Sequence, residues 1–143
     1  MNAAVPLCGD NTLLKFGRIV PIPQVMAQPS SKRILVVDDE PSICRTLSDL
    51  LALDGHIVHT ASNPSDAIEL CRSRSFDLIF LDYFLPEMTG DKLLAILRRT
   101  NPKQRIVLIS GQKPFPPIGA ADSMVRKPFT SDHIREAIDK FAA

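Results

Sequence analysis

Three short runs of strongly apolar residues constrain the fold of this chain more than any other feature. They are Ile34–Val37, Leu78–Leu81 and Ile106–Ile109, and none alternates between apolar and polar residues. A strand exposed on one face alternates, whereas a parallel strand covered on both faces does not. The runs therefore predict buried strands of a parallel sheet. Two weaker runs, His56–Thr60 and Met124–Arg126, bring the predicted strands to five.

Segments with the period of an amphipathic helix lie between and after these strands. Apolar residues recur at helical spacing in Ile43–Leu51, Ala67–Cys71, Asp91–Arg99 and Ile134–Phe141. The alternation of strand and helix predicts an α/β fold with a doubly wound parallel sheet. In such sheets ligands bind at the carboxyl ends of the strands, so the chemistry is expected there.

Polar and charged residues follow most of the predicted strands directly. They are Asp38, Asp39 and Glu40 after the first strand, Asp82 after the third, Ser110 after the fourth and Lys127 after the fifth. One acidic pair at a strand end is more often a solvated turn, but here every group lies at the same edge. Converging carboxylates repel one another, and a hard cation such as Mg²⁺ removes that cost.

We therefore predict a magnesium site formed by Asp38, Asp39 and Asp82. A lysine at this edge would pair with a carboxylate and later with a phosphoryl oxygen, to which the Ser110 hydroxyl could also donate. Asp82 is then the predicted nucleophile, because an aspartate beside a metal and an ammonium group can attack phosphorus.

Composition limits the other possibilities. The chain has 143 residues and a net charge of +1, so it fits one globular domain and its charge does not suggest nucleic acid or an anionic membrane. Three distant cysteines predict neither a disulfide framework nor a metal site, and a cytoplasmic location is expected. Residues 1–31, interrupted by four prolines, are predicted to be a flexible N-terminal extension, followed by one domain at residues 32–143. No apolar run is long enough for a signal peptide or a membrane span.

Four pieces of sequence, in order, carry a resemblance to a known family. They are ILVVDDEPS, LIFLDYFLPEMTG, VLIS and VRKPF. With them, the chain resembles the receiver domain of bacterial two-component response regulators from residue 32 to residue 143. The resemblance implies a flavodoxin-like fold with a five-stranded parallel sheet and helices on both faces.

The resemblance also implies residue roles. Asp82 would be the phosphoacceptor and Asp39 a direct Mg²⁺ ligand, while Asp38 would bind the ion through water. The backbone carbonyl of Phe84 would be the third protein ligand. Ser110 matches the switch hydroxyl of the family and Lys127 its invariant lysine, and the Lys127–Pro128 bond is expected to be cis. Pro86 and Gly90 match the turn after the phosphoacceptor.

By resemblance, the phosphoryl group would come from a sensor histidine kinase or a histidine phosphotransfer protein. The protein would be a phosphorylation switch with autophosphorylation and autodephosphorylation chemistry only, and its downstream partner would be another protein. Because the sequence ends at Ala143, soon after the last predicted helix, we expect a stand-alone receiver without a DNA-binding output domain. Phe84, two residues after Asp82, is expected to slow dephosphorylation.

Two departures from the family pattern lead to further expectations. Met124 occupies a position that is usually aromatic in the family. The interval between Ser110 and Lys127 is shorter than usual and includes Pro114, Pro116 and Pro117. Since proline disrupts helices, we predict that the fourth helix of the family, between Gly111 and Asp122, is shortened or absent.

Two alternatives remain open from the sequence. The chain could be an interaction module that has the receiver fold and does not use phosphorylation, an alternative favoured by Met124 and the short connection. It could also be a small phosphatase with an aspartyl-phosphate intermediate. That class has a second acid two residues after the nucleophile, where this chain has Phe84.

Overall fold

A computed structural model describes residues 31–113 and 117–141 of the chain. The predicted N-terminal extension, residues 1–31, lies outside the described residues except for Ser31. The strands are β1 (Arg33–Val37), β2 (Ile57–Ala61), β3 (Leu78–Asp82), β4 (Ile106–Ser110) and β5 (Ser123–Arg126). They form one parallel sheet in the order β2-β1-β3-β4-β5. All five predicted strands are confirmed, each within one residue of its predicted ends.

In the described part of the chain, four helices connect or follow the strands: α1 (Pro41–Leu53), α2 (Pro64–Ser73), α3 (Gly90–Thr100) and α4 (Ser131–Asp139). The start of α2 is capped by Asn63, whose side-chain oxygen accepts a hydrogen bond from the Asp66 N–H at 2.8 Å. Thr130 caps α4 through the His133 N–H. Phe141, predicted to belong to the last helix, lies beyond its end, where its N–H donates to the Ile138 carbonyl.

The helices cover both faces of the sheet, as expected for the predicted doubly wound, flavodoxin-like arrangement. On one face α2 and α3 pack against alternate strand residues, among them Leu35, Ile79, Leu81 and Leu108. On the other face α1 and α4 pack against the remaining ones, among them Ile34, Val36, Phe80 and Ile109. Each central strand is therefore buried on both sides, and this explains its unbroken apolar run.

The connection between β4 and β5 departs from a regular strand-helix-strand unit. Its described residues, 111–113 and 117–122, form bends and turns and include no helix. This agrees with the prediction that the fourth helix of the family is shortened or absent. Of the prolines on which that prediction rests, Pro114 and Pro116 lie outside the described residues. In the part of the chain that the structure describes, no helix has the length and apolar character required to cross a membrane.

Candidate functional site

The sheet brings the predicted polar residues to one edge. The parallel register aligns Asp82 with Ile109 and Ser110 with Arg126, so the strands end side by side. The backbone N–H of Lys127 donates to the Ser110 carbonyl at 2.8 Å, which extends the pairing of β4 and β5 by one residue. Because the carboxyl ends of parallel strands lie at the same edge of the sheet, Asp38 and Lys127 become neighbours, although they are 89 positions apart in the chain.

Three carboxylates form what we call the acid cluster: Asp38, Asp39 and Asp82. One carboxylate oxygen of each lies within 4.8 Å of the others. Asp38 and Asp82 are buried, with 1% and 6% of their surface exposed, and Asp39 is exposed. A group of carboxylate oxygens that is partly buried and open on one side suits a hard divalent cation. The donor chemistry of the cluster therefore fits Mg²⁺.

Among the described residues, a single ammonium group forms ion pairs with this cluster. The Lys127 Nζ lies 3.1 Å from Asp38 Oδ2 and 3.8 Å from Asp82 Oδ1. It also lies 3.5 Å from Glu40 Oε1, a carboxylate to which the sequence assigned no role. The other Asp38 oxygen accepts a hydrogen bond from the Glu40 N–H at 2.9 Å. One positive charge thus faces several carboxylates, and the edge carries excess negative charge.

Burial and crowding change the acidity of the buried groups. Burial raises the pKa of Asp82 to about 6, and the nearby Asp38 charge acts in the same direction, against Lys127 and the Phe84 N–H. Burial also raises the pKa of Asp38. For Lys127 burial lowers the pKa, but the hydrogen bond to Asp38 and the charge of Asp82 outweigh it and raise the pKa. A bound cation would favour the ionised carboxylates.

Ser110 ends β4 with a hydroxyl for which the described residues provide no hydrogen-bond partner. The residue is fully buried, and its Oγ has no hydrogen-bond partner among the described residues. Buried polar groups in folded proteins are nearly always hydrogen-bonded, so each exception calls for an explanation. A donor at the end of the strand next to β3, without an acceptor among the described residues, suits a ligand with oxygen acceptors.

The loop after Asp82 is held close to the strand. The Gly90 N–H donates to the Tyr83 carbonyl at 2.6 Å, and Phe84 forms an isolated bridge with Thr89. A Cβ at Gly90 would lie 2.9 Å from the Tyr83 Cα, so only glycine permits this approach. The Phe84 ring packs edge-on against the Tyr83 ring, with centroids 4.8 Å apart. The role of the Phe84 carbonyl as a metal ligand stays a prediction.

Sequence reasoning missed the contribution of Gly111. A Cβ there would lie 3.0 Å from the Lys127 Cβ and 3.3 Å from its Cδ. The absence of a side chain lets the stem of Lys127 pass along the end of β4 toward the acid cluster. A single glycine after a strand has no distinctive sequence signal. The Lys127–Pro128 bond is cis, as predicted.

Comparisons with known proteins match these features. Residues 34–139 match the family model of the response regulator receiver domain. Over 120 residues the chain is 38% identical to the alginate biosynthesis transcriptional regulatory protein AlgB of Pseudomonas putida. This alignment covers 80% of this chain and 27% of AlgB. It is 35% identical to the chemotaxis protein CheY of Bacillus subtilis, covering 76% of this chain and 95% of CheY. The chain thus spans about a quarter of AlgB and nearly all of CheY.

Solved structures agree. The response regulator protein TrrA from Thermotoga maritima, in complex with Mg²⁺-BeF, matches with a TM-score of 0.72 and 33% identity, over 77% of this chain and 98% of that one. A structure of the histidine kinase ThkA in complex with TrrA matches with a TM-score of 0.71 and 32% identity, over 78% of this chain and 99% of the matched chain. This chain therefore belongs to the response regulator receiver domain family.

Proposed function

We propose that this receiver accepts a phosphoryl group on Asp82 from a phosphohistidine of a sensor kinase or of a histidine phosphotransfer protein. Receiver domains are phosphorylation switches of two-component signalling and not classical enzymes. The observation that carries the proposal is the joint placement of three groups at one edge of the sheet. They are the acid cluster, the Lys127 ammonium and the buried Ser110 hydroxyl, which has no partner among the described residues.

The metal belongs to the same proposal. Asp38, Asp39 and Asp82 would hold Mg²⁺, with the Phe84 carbonyl as a further ligand. When bound, the ion supplies positive charge that offsets the repulsion between the carboxylates and the phosphoryl oxygens. TrrA, solved with Mg²⁺-BeF, supports the choice of a divalent cation.

The transfer step uses groups of this chain. A carboxylate oxygen of Asp82 forms the new bond to phosphorus as the bond from phosphorus to the imidazole nitrogen of the donor breaks. The bonding pair stays on that nitrogen, which takes up a proton. Lys127 would move its contact from the carboxylates to a phosphoryl oxygen, and the Ser110 hydroxyl would donate to another. Attack of water on phosphorus later breaks the bond between phosphorus and the Asp82 oxygen, which restores the carboxylate and releases inorganic phosphate.

Phosphorylation would act as a population shift. The modification adds negative charge and acceptor oxygens, so conformations in which Ser110 and Lys127 contact the phosphoryl group become favoured. We propose that this change is read by another protein and not by nucleic acid. The cytoplasmic location stays a prediction.

We propose that Phe84 slows the hydrolysis of phosphorylated Asp82. Its ring is half-buried, packs against Tyr83 and follows Asp82 by two residues. We propose that it obstructs the attacking water. The phosphorylated Phe84→Asn variant should lose its phosphoryl group faster than the wild type. An unchanged half-life would remove Phe84 from the account.

A direct test is the intact mass of the protein after incubation with acetyl phosphate, with and without Mg²⁺. We expect a Mg²⁺-dependent gain of one phosphoryl group in the wild type and none in Asp82→Asn. The exposed Asp49 on α1 provides the matched control, since Asp49→Asn should be phosphorylated normally. No gain in the folded wild type would overturn the proposal.

A second candidate is an interaction module that does not depend on phosphorylation. The half-buried Met124 at the usual aromatic position and the helix-free described part of the β4–β5 connection favour it. In that case the protein would neither be phosphorylated nor bind beryllium fluoride with Mg²⁺. Phosphorylation of the protein, together with binding of beryllium fluoride and Mg²⁺, would exclude this candidate.

A further inference from the structure

The position of Lys127 depends on a strand that has little support of its own. β5 has four residues, Ser123–Arg126, and it lies at the edge of the sheet, paired with β4 alone. Displacing the register by two residues would move Lys127 by about 7 Å along the strand. Displacing it by one would turn its side chain to the other face. Something must therefore hold the register of β5 for Lys127 to reach the acid cluster.

Asp122 holds the start of that strand through two bonds to one residue. Its backbone N–H donates to the Ile106 carbonyl at 2.9 Å. Its carboxylate oxygen Oδ2 accepts the Ile106 N–H at 2.8 Å. Since Ile106 is the first residue of β4, Asp122 sets the register of β5 before the regular pairing begins.

Arg98 of α3 holds Asp122 in turn. Its Nη2 donates to Asp122 Oδ2 at 2.8 Å, its Nη1 donates to the Ala120 carbonyl, and its Nε donates to the Gln104 carbonyl at 3.1 Å. We call this group of four residues the Arg98 clamp. It joins the turn before β4 to the turn before β5. The side chains of Arg98 and Asp122 are only 21% and 20% exposed.

The clamp also links β5 to the loop of the phosphoacceptor. α3 begins at Gly90, whose N–H bonds to the Tyr83 carbonyl, and it carries Arg98 in its last turn. The described residues of the β4–β5 connection include no helix that could hold β5 in its place. One helix thus contacts the residue that follows β3 and the residue that precedes β5, the strands that deliver Asp82 and Lys127.

We propose that Arg98 is a positioning residue that fixes the register at which β5 presents Lys127 to the acid cluster. This inference rests on the proposed function, because it assigns Lys127 a role in phosphorylation. A guanidinium is suited to the task, since its planar fork reaches several acceptors at once, whereas a lysine ammonium in the same place reaches fewer. We therefore expect Arg98→Lys to restore part of what Arg98→Ala loses.

The chain offers a matched control on the same helix. Arg99 is exposed, and no hydrogen bond or ion pair joins it to another of the described residues. Arg99→Ala removes the same charge and the same side chain as Arg98→Ala without touching the clamp. Ile68→Val, a small change in the packing of α2, controls for lower stability alone.

The first readout is amide hydrogen exchange, which does not depend on phosphorylation. In Arg98→Ala we expect the amide hydrogens of Asp122 and Lys127 to exchange about tenfold faster, because the start of β5 opens more often. Arg99→Ala should leave both unchanged. Equal exchange rates in the two variants would contradict the claim that Arg98 holds the start of β5, whatever the outcome of the phosphorylation assay.

The second readout is the rate of phosphorylation by acetyl phosphate with saturating Mg²⁺, well below the unfolding temperature. We expect a loss of about fivefold in Arg98→Ala, with Mg²⁺ affinity unchanged because Lys127 is not a ligand. Ile68→Val and Arg99→Ala should match the wild type. If the wild type is phosphorylated and Arg98→Ala reacts at the same rate, the positioning role is wrong. If the wild type does not react, the proposed function fails. Hydrogen exchange then still shows whether Arg98 holds the start of β5.

Discussion

Two clusters of ion pairs lie at opposite edges of the same sheet, and they differ in charge balance. At the carboxyl edge one ammonium, Lys127, faces Asp38, Asp82 and Glu40. At the amino edge one carboxylate, Asp122, receives two arginines and a backbone N–H. The first cluster has excess negative charge, which suits a further cation, whereas both carboxylate oxygens of Asp122 in the second already have partners. The charge of the first cluster favours a ligand, and the paired groups of the second favour a role in holding the fold.

The largest expected effect comes from removing one cation at each edge. Without Mg²⁺, Lys127→Met should lower the free energy of unfolding by about 2–4 kcal/mol, because the buried Asp38 loses its partner. Arg98→Met should cost about 1–2 kcal/mol, since Asp122 keeps its bond from the Ile106 N–H. Urea denaturation measures both. Mg²⁺ should recover part of the first loss and none of the second, and equal losses with no effect of Mg²⁺ would contradict the comparison.

Removing a carboxylate from the acid cluster should have the opposite effect on stability. Asp82→Asn should raise the free energy of unfolding of the metal-free protein at pH 7 by about 1–3 kcal/mol. The folded protein keeps the proton of Asp82 up to a pKa of about 6, whereas the ordinary pKa of an aspartate is 3.8. The free energy of unfolding of the wild type should therefore fall, relative to that of the variant, as the pH rises from 3.8 to about 6. Denaturation in EDTA across this range measures the difference, and a difference independent of pH would contradict the assignment.

Much of this site could be predicted from the sequence because its geometry follows from topology. Parallel strands end at one edge, so Asp38, Asp82, Ser110 and Lys127 had to converge once the strands were recognised. The Arg98 clamp had no comparable signal. Two of its acceptors are backbone carbonyls, of Gln104 and Ala120, and carbonyls are common to every residue. Glu40 and Gly111 contribute through distances that only the folded chain defines.

A smaller effect is expected from two buried serines. Ser110 has a hydroxyl without a partner among the described residues, so Ser110→Ala should leave the free energy of unfolding unchanged or raise it by up to about 1 kcal/mol. Ser123, at the start of β5, accepts a hydrogen bond from Lys140 Nζ at 3.1 Å. Ser123→Ala should therefore cost about 0.5–1 kcal/mol. Thermal and urea unfolding compare the two, and a larger loss for Ser110→Ala would show that its hydroxyl supports the fold.

The smallest effect is expected at a partly exposed ion pair that belongs to neither cluster. Arg135 of α4 donates to Asp54 at 2.8 and 3.1 Å, and this bond lowers the pKa of Asp54. The resulting stability is present above 3.8, the ordinary pKa of an aspartate, and is lost as the pH falls through the lower pKa of the folded state. Asp54→Asn should slightly lower the melting temperature at pH 7, and this difference should disappear in strong acid. A difference that persists there would rule out the ion pair as its cause.

The most direct test of the account is to identify the residue that carries the phosphoryl group. After reaction with acetyl phosphate and Mg²⁺, borohydride reduction converts an aspartyl phosphate to homoserine, which peptide mass spectrometry locates. We predict one converted residue, Asp82, and none in a sample prepared without Mg²⁺. Conversion at Asp38 or Asp39, or at no residue in a folded protein, would contradict the claim that the acid cluster is a site completed by a cation for phosphorylation of Asp82.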